Sequence, residues 1–156
     1  MLSKALKQLP GLEDPSRLNQ QQELSLESIV RDRDLYKIVS KLFADGHHAR
    51  SVEEAFKYLN NLVKRKAQLD EPLDGSALMK QAFSAKNPVL KLNEGASTSE
   101  QSEQTGYMEI LSGCMIGIRN PRAHEHDWED PEDRAIQLLM LANHLVERVK
   151  QATKSN

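Results

Sequence analysis

The chain has 156 residues, 38% of them hydrophobic and 4% aromatic, which suits one domain whose core is mainly Leu, Val, Ile, Met and Ala. Its 21 basic and 23 acidic residues leave a formal charge of -2, so any RNA binding has to come from a local patch rather than from global attraction. A single cysteine, Cys114, excludes an internal disulfide and a cysteine-based zinc site.

No apolar run reaches membrane-spanning length and the N-terminus lacks the apolar region of a signal peptide, so a cytoplasmic protein with no membrane partner is expected. Residues 1–30 read as an N-terminal arm: Leu2, Ala5, Leu6 and Leu9 fall at helical spacing before Pro10-Gly11, and a polar linker follows. The arm either docks loosely or clasps a second subunit. Residues 31–153 form the domain proper.

The first long helix is expected over Asp32 to Asp45, with Leu35, Ile38, Val39 and Leu42 on one stripe and Gly46 as its stop. His47 and His48 follow in the turn. A second helix is expected to open with Ser51 and Glu54 in capping-box spacing and to run to about Gln68. From Lys57 to Lys91 there are seven basic and three acidic residues, a candidate phosphate-backbone track. A short helix from about Ser76 to Ser84 comes next. The Ser-, Glu-, Gln- and Gly-rich residues 92–105 show no apolar periodicity and read as a mobile surface loop.

A third long helix is expected from Gly106 to Ile118, with Tyr107, Ile110, Leu111, Cys114, Met115 and Ile118 at core spacing and Gly113 and Gly117 open to a close helix neighbour. The last helix starts at Asp130-Pro131, read as a cap followed by proline, and is expected to bury Ala135, Leu138, Leu139, Ala142, Leu145, Val146 and Val149. Trp128 falls in the turn before it. The fold class is therefore all-α, an up-and-down bundle of about four helices with an N-terminal arm.

Chemistry concentrates in Gly117-Ile118-Arg119-Asn120-Pro121-Arg122-Ala123-His124-Glu125-His126. Arginine offers a planar, permanently charged fork for phosphate oxygens, and histidine exchanges protons near neutral pH. On an unbroken helix Arg119 and His124 would sit roughly 140° apart around the axis. Pro121 is expected to end or kink the helix at Asn120, letting His124 fold back beside Arg119. His124-x-His126 with Asp127 and Glu129 holds metal-ligand residue types but no second ligand pair, so no metal or other cofactor is expected.

The arginine, the polar residue after it and the histidine of this stretch resemble the motif of the HEPN superfamily of small α-helical proteins. The chain resembles more narrowly the Ymh family, a conserved hypothetical family of bacteria and mobile elements. That likeness rests on Phe43-Ala44-Asp45-Gly46-His47-His48, Glu54-Ala55-Phe56-Lys57, Leu78 to Ser84, and Gly113 to His124. It covers about residues 30 to 150 and implies a HEPN-like bundle, a homodimer with the motif at or near the interface, and a toxin or phage-defence setting with an antitoxin or regulatory protein as partner.

Three readings follow. In the first, the protein is a metal-independent endoribonuclease: Arg119 holds the scissile phosphate, His124 is general base or acid, Asn120 orients them, and cleavage leaves a 2′,3′-cyclic phosphate. Arg122, His126, His47 and Lys57 are then the RNA-binding candidates. In the second, the same residues make a non-catalytic RNA- or nucleotide-binding or protein-interaction module. In the third, Arg119 merely fastens the helix end to a carboxylate such as Glu125 or Asp127.

Overall fold

The computed structural model describes residues 25–156. The apolar stripe of Leu2 to Leu9 and the polar stretch after it lie outside the described residues. Of the arm expected over residues 1–30, Ser25 caps a four-residue helix, α1 (Leu26–Ile29), by accepting a hydrogen bond from the Ser28 amide. Ile29 and Val30 are buried in the core, so the packed body begins before residue 31.

Helix α2 (Arg33–Ala44) starts where its cap predicts: the Asp32 carboxylate accepts from the Leu35 amide at 3.0 Å. The Asp32 amide itself donates to Asn143 at 2.9 Å, tying this start to the last helix. At the other end Gly46, at φ +82°, and His47 donate to the carbonyls of Phe43 and Leu42, a Schellman stop that a side chain at Gly46 would strain.

Helix α3 (His48–Ala67) opens three residues before the expected Ser51. Ser51 is buried and donates to the His48 carbonyl at 2.6 Å, and Glu54 pairs with Arg50 at 2.8 Å, so the predicted capping box does not form. A Ser-x-x-Glu spacing fits a helix start, yet here the Schellman turn at Gly46 commits the chain to helix earlier. Helix α3 is central, packing on α2, on the last helix and on the motif segment. Its buried stripe is Val52, Ala55, Phe56, Leu59 and Val63.

Helix α4 (Gly75–Ala82) leads to a two-residue strand, β1 (Leu90–Lys91). Residues 92–105, expected to be a mobile loop, are helical from Thr98 onward. Helix α5 (Thr98–Cys114) is fixed by a capping box in which Ser97 accepts from the Glu100 amide and Glu100 accepts from the Ser97 amide. Its first turns carry no apolar stripe because the residue they bury is Gln104. That carboxamide donates to the carbonyls of Phe83 and Leu90 and accepts from the Leu92 amide, joining α5 to β1.

The rod continues through a π-helical segment (Met115–Arg119) into α6 (Asn120–His124), then to α7 (Glu132–Gln151) and β2 (Thr153–Lys154). Strand β2 pairs antiparallel with β1, Leu90 opposite Lys154. Of the stripe predicted for the last helix, Ala135, Leu139, Ala142, Leu145, Val146 and Val149 are buried and Leu138 is half-buried. Lys66 caps its end by donating to the carbonyls of Val149 and Lys150. The described residues are thus mainly α-helical, with one short strand pair among them. Among the described residues, no helix is long and apolar enough to cross a membrane.

Candidate functional site

Pro121 neither ends the helix nor folds His124 back beside Arg119, which corrects the sequence expectation. Asn120 keeps helical dihedrals, φ -60° and ψ -46°, and its amide donates to the carbonyl of Met115, five residues back. This π turn shifts the hydrogen-bond register so that Pro121 falls in the first turn of α6, where a missing amide costs little. Arg119 and His124 therefore stay on one rod, five residues and roughly 140° apart.

Arg119 reaches towards the start of α4. Its Nη1 and Nη2 both lie 3.5 Å from Asp74 Oδ2, outside the usual range of a charge-assisted bond. Asp74 also accepts from Asn60 at 2.5 Å and lies 3.8 Å from Lys64. Burial alone would raise its carboxyl, but the Asn60 hydrogen bond and the charges of Arg119 and Lys64 hold it below the ordinary value. The carboxylate beside Arg119 is thus Asp74, neither Glu125 nor Asp127. Asn120 is half-buried on the same rod. The His124 side chain is exposed, and among the described residues it has no hydrogen-bond or ion-pair partner.

Arg122, expected as a second phosphate contact, is committed elsewhere. Its Nε and Nη2 each donate at 2.7 Å to Asp130, and its Nη1 donates to the Ile118 carbonyl at 2.9 Å. The pair is buried, and the guanidinium lies 5.3 Å from the Trp128 ring centroid. Asp130 is therefore not the cap of α7; that position is Pro131, with no side-chain bond.

His47 and His126, far apart in sequence, line one cavity of about 420 Å³ together with His48, Arg50, Trp128 and Glu129. A smaller cavity of about 170 Å³ shares Arg50, His126 and Trp128 and extends to Arg122 and Glu125. Lys57 is exposed on α3, 3.8 Å from Glu54. Arg50, which sequence reasoning did not single out, recurs with Lys57 and Lys64 every seven residues, so the three share one face of α3 at intervals of about 10.5 Å. That face runs from the cavity at its Arg50 end to Asp74 and Arg119 at its Lys64 end. The seven-residue spacing was the available signal.

Cys114 is buried, and burial pushes its thiol up to about 11, as befits a small core residue. Gly113 and Gly117 face open space within the chain: a side-chain carbon at either would meet nothing within 4 Å. Among the described residues no three His, Cys, Asp or Glu side chains gather closely enough to hold a metal ion.

Fold and motif together define an all-α protein that presents an arginine and a histidine from one proline-containing helical rod. The chain belongs to the family described as Protein of unknown function (Hypoth_ymh), whose model matches residues 31–149. No curated protein and no solved structure matches it.

Proposed function

We propose that the protein is a metal-independent endoribonuclease of the HEPN type, its site completed by a second copy of the chain. The observation that carries this reading concerns the two chemical groups of the motif: Arg119 is held only loosely by Asp74, and the His124 side chain is exposed and has no partner among the described residues. A guanidinium so weakly paired can transfer to a phosphate oxygen, where shorter charge-assisted bonds form. An unpaired imidazole can take the proton of a ribose 2′-hydroxyl.

The 2′-oxygen then attacks the neighbouring phosphorus, the bond to the 5′-oxygen breaks, and the proton passes to that leaving oxygen. The products are a 2′,3′-cyclic phosphate and a 5′-hydroxyl end, so DNA of the same sequence is not cut. Arg50, Lys57 and Lys64, each beside a carboxylate that a phosphate has to outcompete, supply cationic contacts for the backbone of the strand. Because Arg119 and His124 diverge on one rod, Arg119 of one copy works with His124 of the other.

The test is incubation of wild-type and His124→Ala protein with labelled mixed RNA in excess EDTA, followed by end-group analysis. Wild type alone is expected to cut and to leave cyclic phosphate ends. Mixing Arg119→Ala with His124→Ala is expected to restore part of the activity, since mixed pairs retain one complete site. A second reading, RNA binding without cutting, draws on the same divergence of Arg119 and His124. It requires that wild type bind the RNA and leave it intact.

A further inference from the structure

Trp128 is the only tryptophan of the chain, and it remains 40% exposed although the fold could have buried so large an apolar ring. Its inner side rests on the Arg122 guanidinium, which two bonds to Asp130 and one to Ile118 hold in place. The ring is therefore backed by a buried, immobile cation, and it lines both cavities described above. A rigid aromatic face beside a cavity of about 420 Å³ offers a flat partner the room to lie against it.

The remaining walls differ in character. On one side stand His47, His48 and the start of α3, whose first amides receive no side-chain cap. Arg50 stands with them, its own side chain 55% exposed; it pairs with the half-buried Glu53 at 2.9 Å and Glu54 at 2.8 Å and keeps further N–H donors that a phosphate can take. Across the cavity stand His126 and Glu129. The other carboxylate that lines this cavity, Asp130, is already neutralised by Arg122. Glu129 repels a phosphate from its own wall and accepts hydrogen bonds from a base amino group.

We infer that this cavity is a nucleotide subsite for single-stranded RNA: a base stacks on Trp128, its edge towards Glu129 and His126, and its phosphate lies on the Arg50 side. The inference rests on the reading that RNA is the substrate. It adds where a nucleotide away from the cut is held, at the far end of the Arg50–Lys57–Lys64 face from Arg119. Stacking on an aromatic ring tolerates every base, so the subsite contributes affinity more than sequence choice.

The single tryptophan makes the test direct. The full-length protein is titrated with a short, mixed-sequence, 2′-O-methyl single-stranded RNA, which lacks the attacking hydroxyl and stays intact. Tryptophan emission and the anisotropy of an end label are followed together. Saturable quenching that tracks the anisotropy is expected, with binding weakened about ten- to hundredfold by Trp128→Ala and largely restored by Trp128→Phe. RNA that binds by anisotropy while Trp128 emission stays unchanged overturns the subsite and leaves the ribonuclease reading standing. Absence of any RNA binding, together with absence of cleavage in EDTA, overturns both.

Discussion

Arg122 and Asp130 make the tightest charged contact of the motif region, two parallel bonds of 2.7 Å between buried side chains whose residues stand eight apart in sequence. This pair closes the loop between α6 and α7, fastens the end of the rod and backs Trp128. Its neighbour Arg119, at 3.5 Å from Asp74, lacks any such hold. The two arginines of the motif therefore have different occupations. Arg122 is structural and Arg119 is available.

Removing either partner of the buried pair strands the other charge away from water. Arg122→Ala or Asp130→Ala is expected to lower stability by about 3–5 kcal/mol, read as a shift in the denaturant midpoint. The double replacement Arg122→Met with Asp130→Leu removes both charges and is expected to recover much of that loss. A double variant as unstable as the singles would show that packing, not stranded charge, sets the cost.

On the proposed ribonuclease reading, Asp74 competes with phosphate for Arg119. Asp74→Asn keeps an oxygen that can accept from Asn60 but removes the negative charge, so it is expected to tighten RNA binding by a few-fold, within the worth of an exposed ion pair. The sign with pH follows from its depressed carboxyl. What the ionised group contributes to stability is present above the ordinary carboxylate value of about 3.9 and is lost as pH falls through its lowered folded value. Acid unfolding profiles of wild type and Asp74→Asn should therefore converge at low pH. Unchanged or weaker RNA binding by the variant would assign Asp74 a purely structural task.

Gln104 satisfies three backbone groups at once in a buried position. Gln104→Leu leaves the carbonyls of Phe83 and Leu90 without that partner, at a cost of about 1–3 kcal/mol for each group left unsatisfied. Hydrogen exchange should quicken first at Leu92, whose amide donates to Gln104, and in the β1–β2 pair. Uniform acceleration across α3 and α7 instead would mean that Gln104 supports the whole core.

Cys114 stands at the junction of α5 and the π segment, and burial lifts its thiol to about 11. At neutral pH little thiolate forms, so iodoacetamide is expected to label the native protein very slowly and the denatured protein completely. As the only cysteine, it reports on this junction alone. Rapid labelling of the native state would reveal that the rod opens at the π turn.

Helices whose buried side is apolar were legible from sequence. The stripes of α2 and α7 reflect a local rule, the 3.6-residue period, and α2 also follows a second one, with Asp32 capping its own helix and Gly46 stopping it. The start of α5 carried one local signal, the Ser97–Glu100 capping-box spacing, but no apolar stripe beside it, because the buried contact of its first turns is made by Gln104 with backbone groups around β1, and a polar residue in a polar stretch carries no periodic signal. The course of the rod through Pro121 was not legible. A proline forbids its own amide bond, but only the assembled helix decides whether the chain breaks or shifts register by a π turn.

The chemical inventory of the candidate site, arginines and histidines around one proline, was set by the sequence together with the helices that carry it. Which arginine stays available was decided by tertiary structure. Arg119 and Asp74 are 45 residues apart, and His47 and His126 further still, so their meeting depends on how α3, α4 and the motif rod pack. Local spacing specifies which residues a helix presents on each face. Only the packing of one helix on another specifies which charge is consumed by a buried partner and which is left for a ligand.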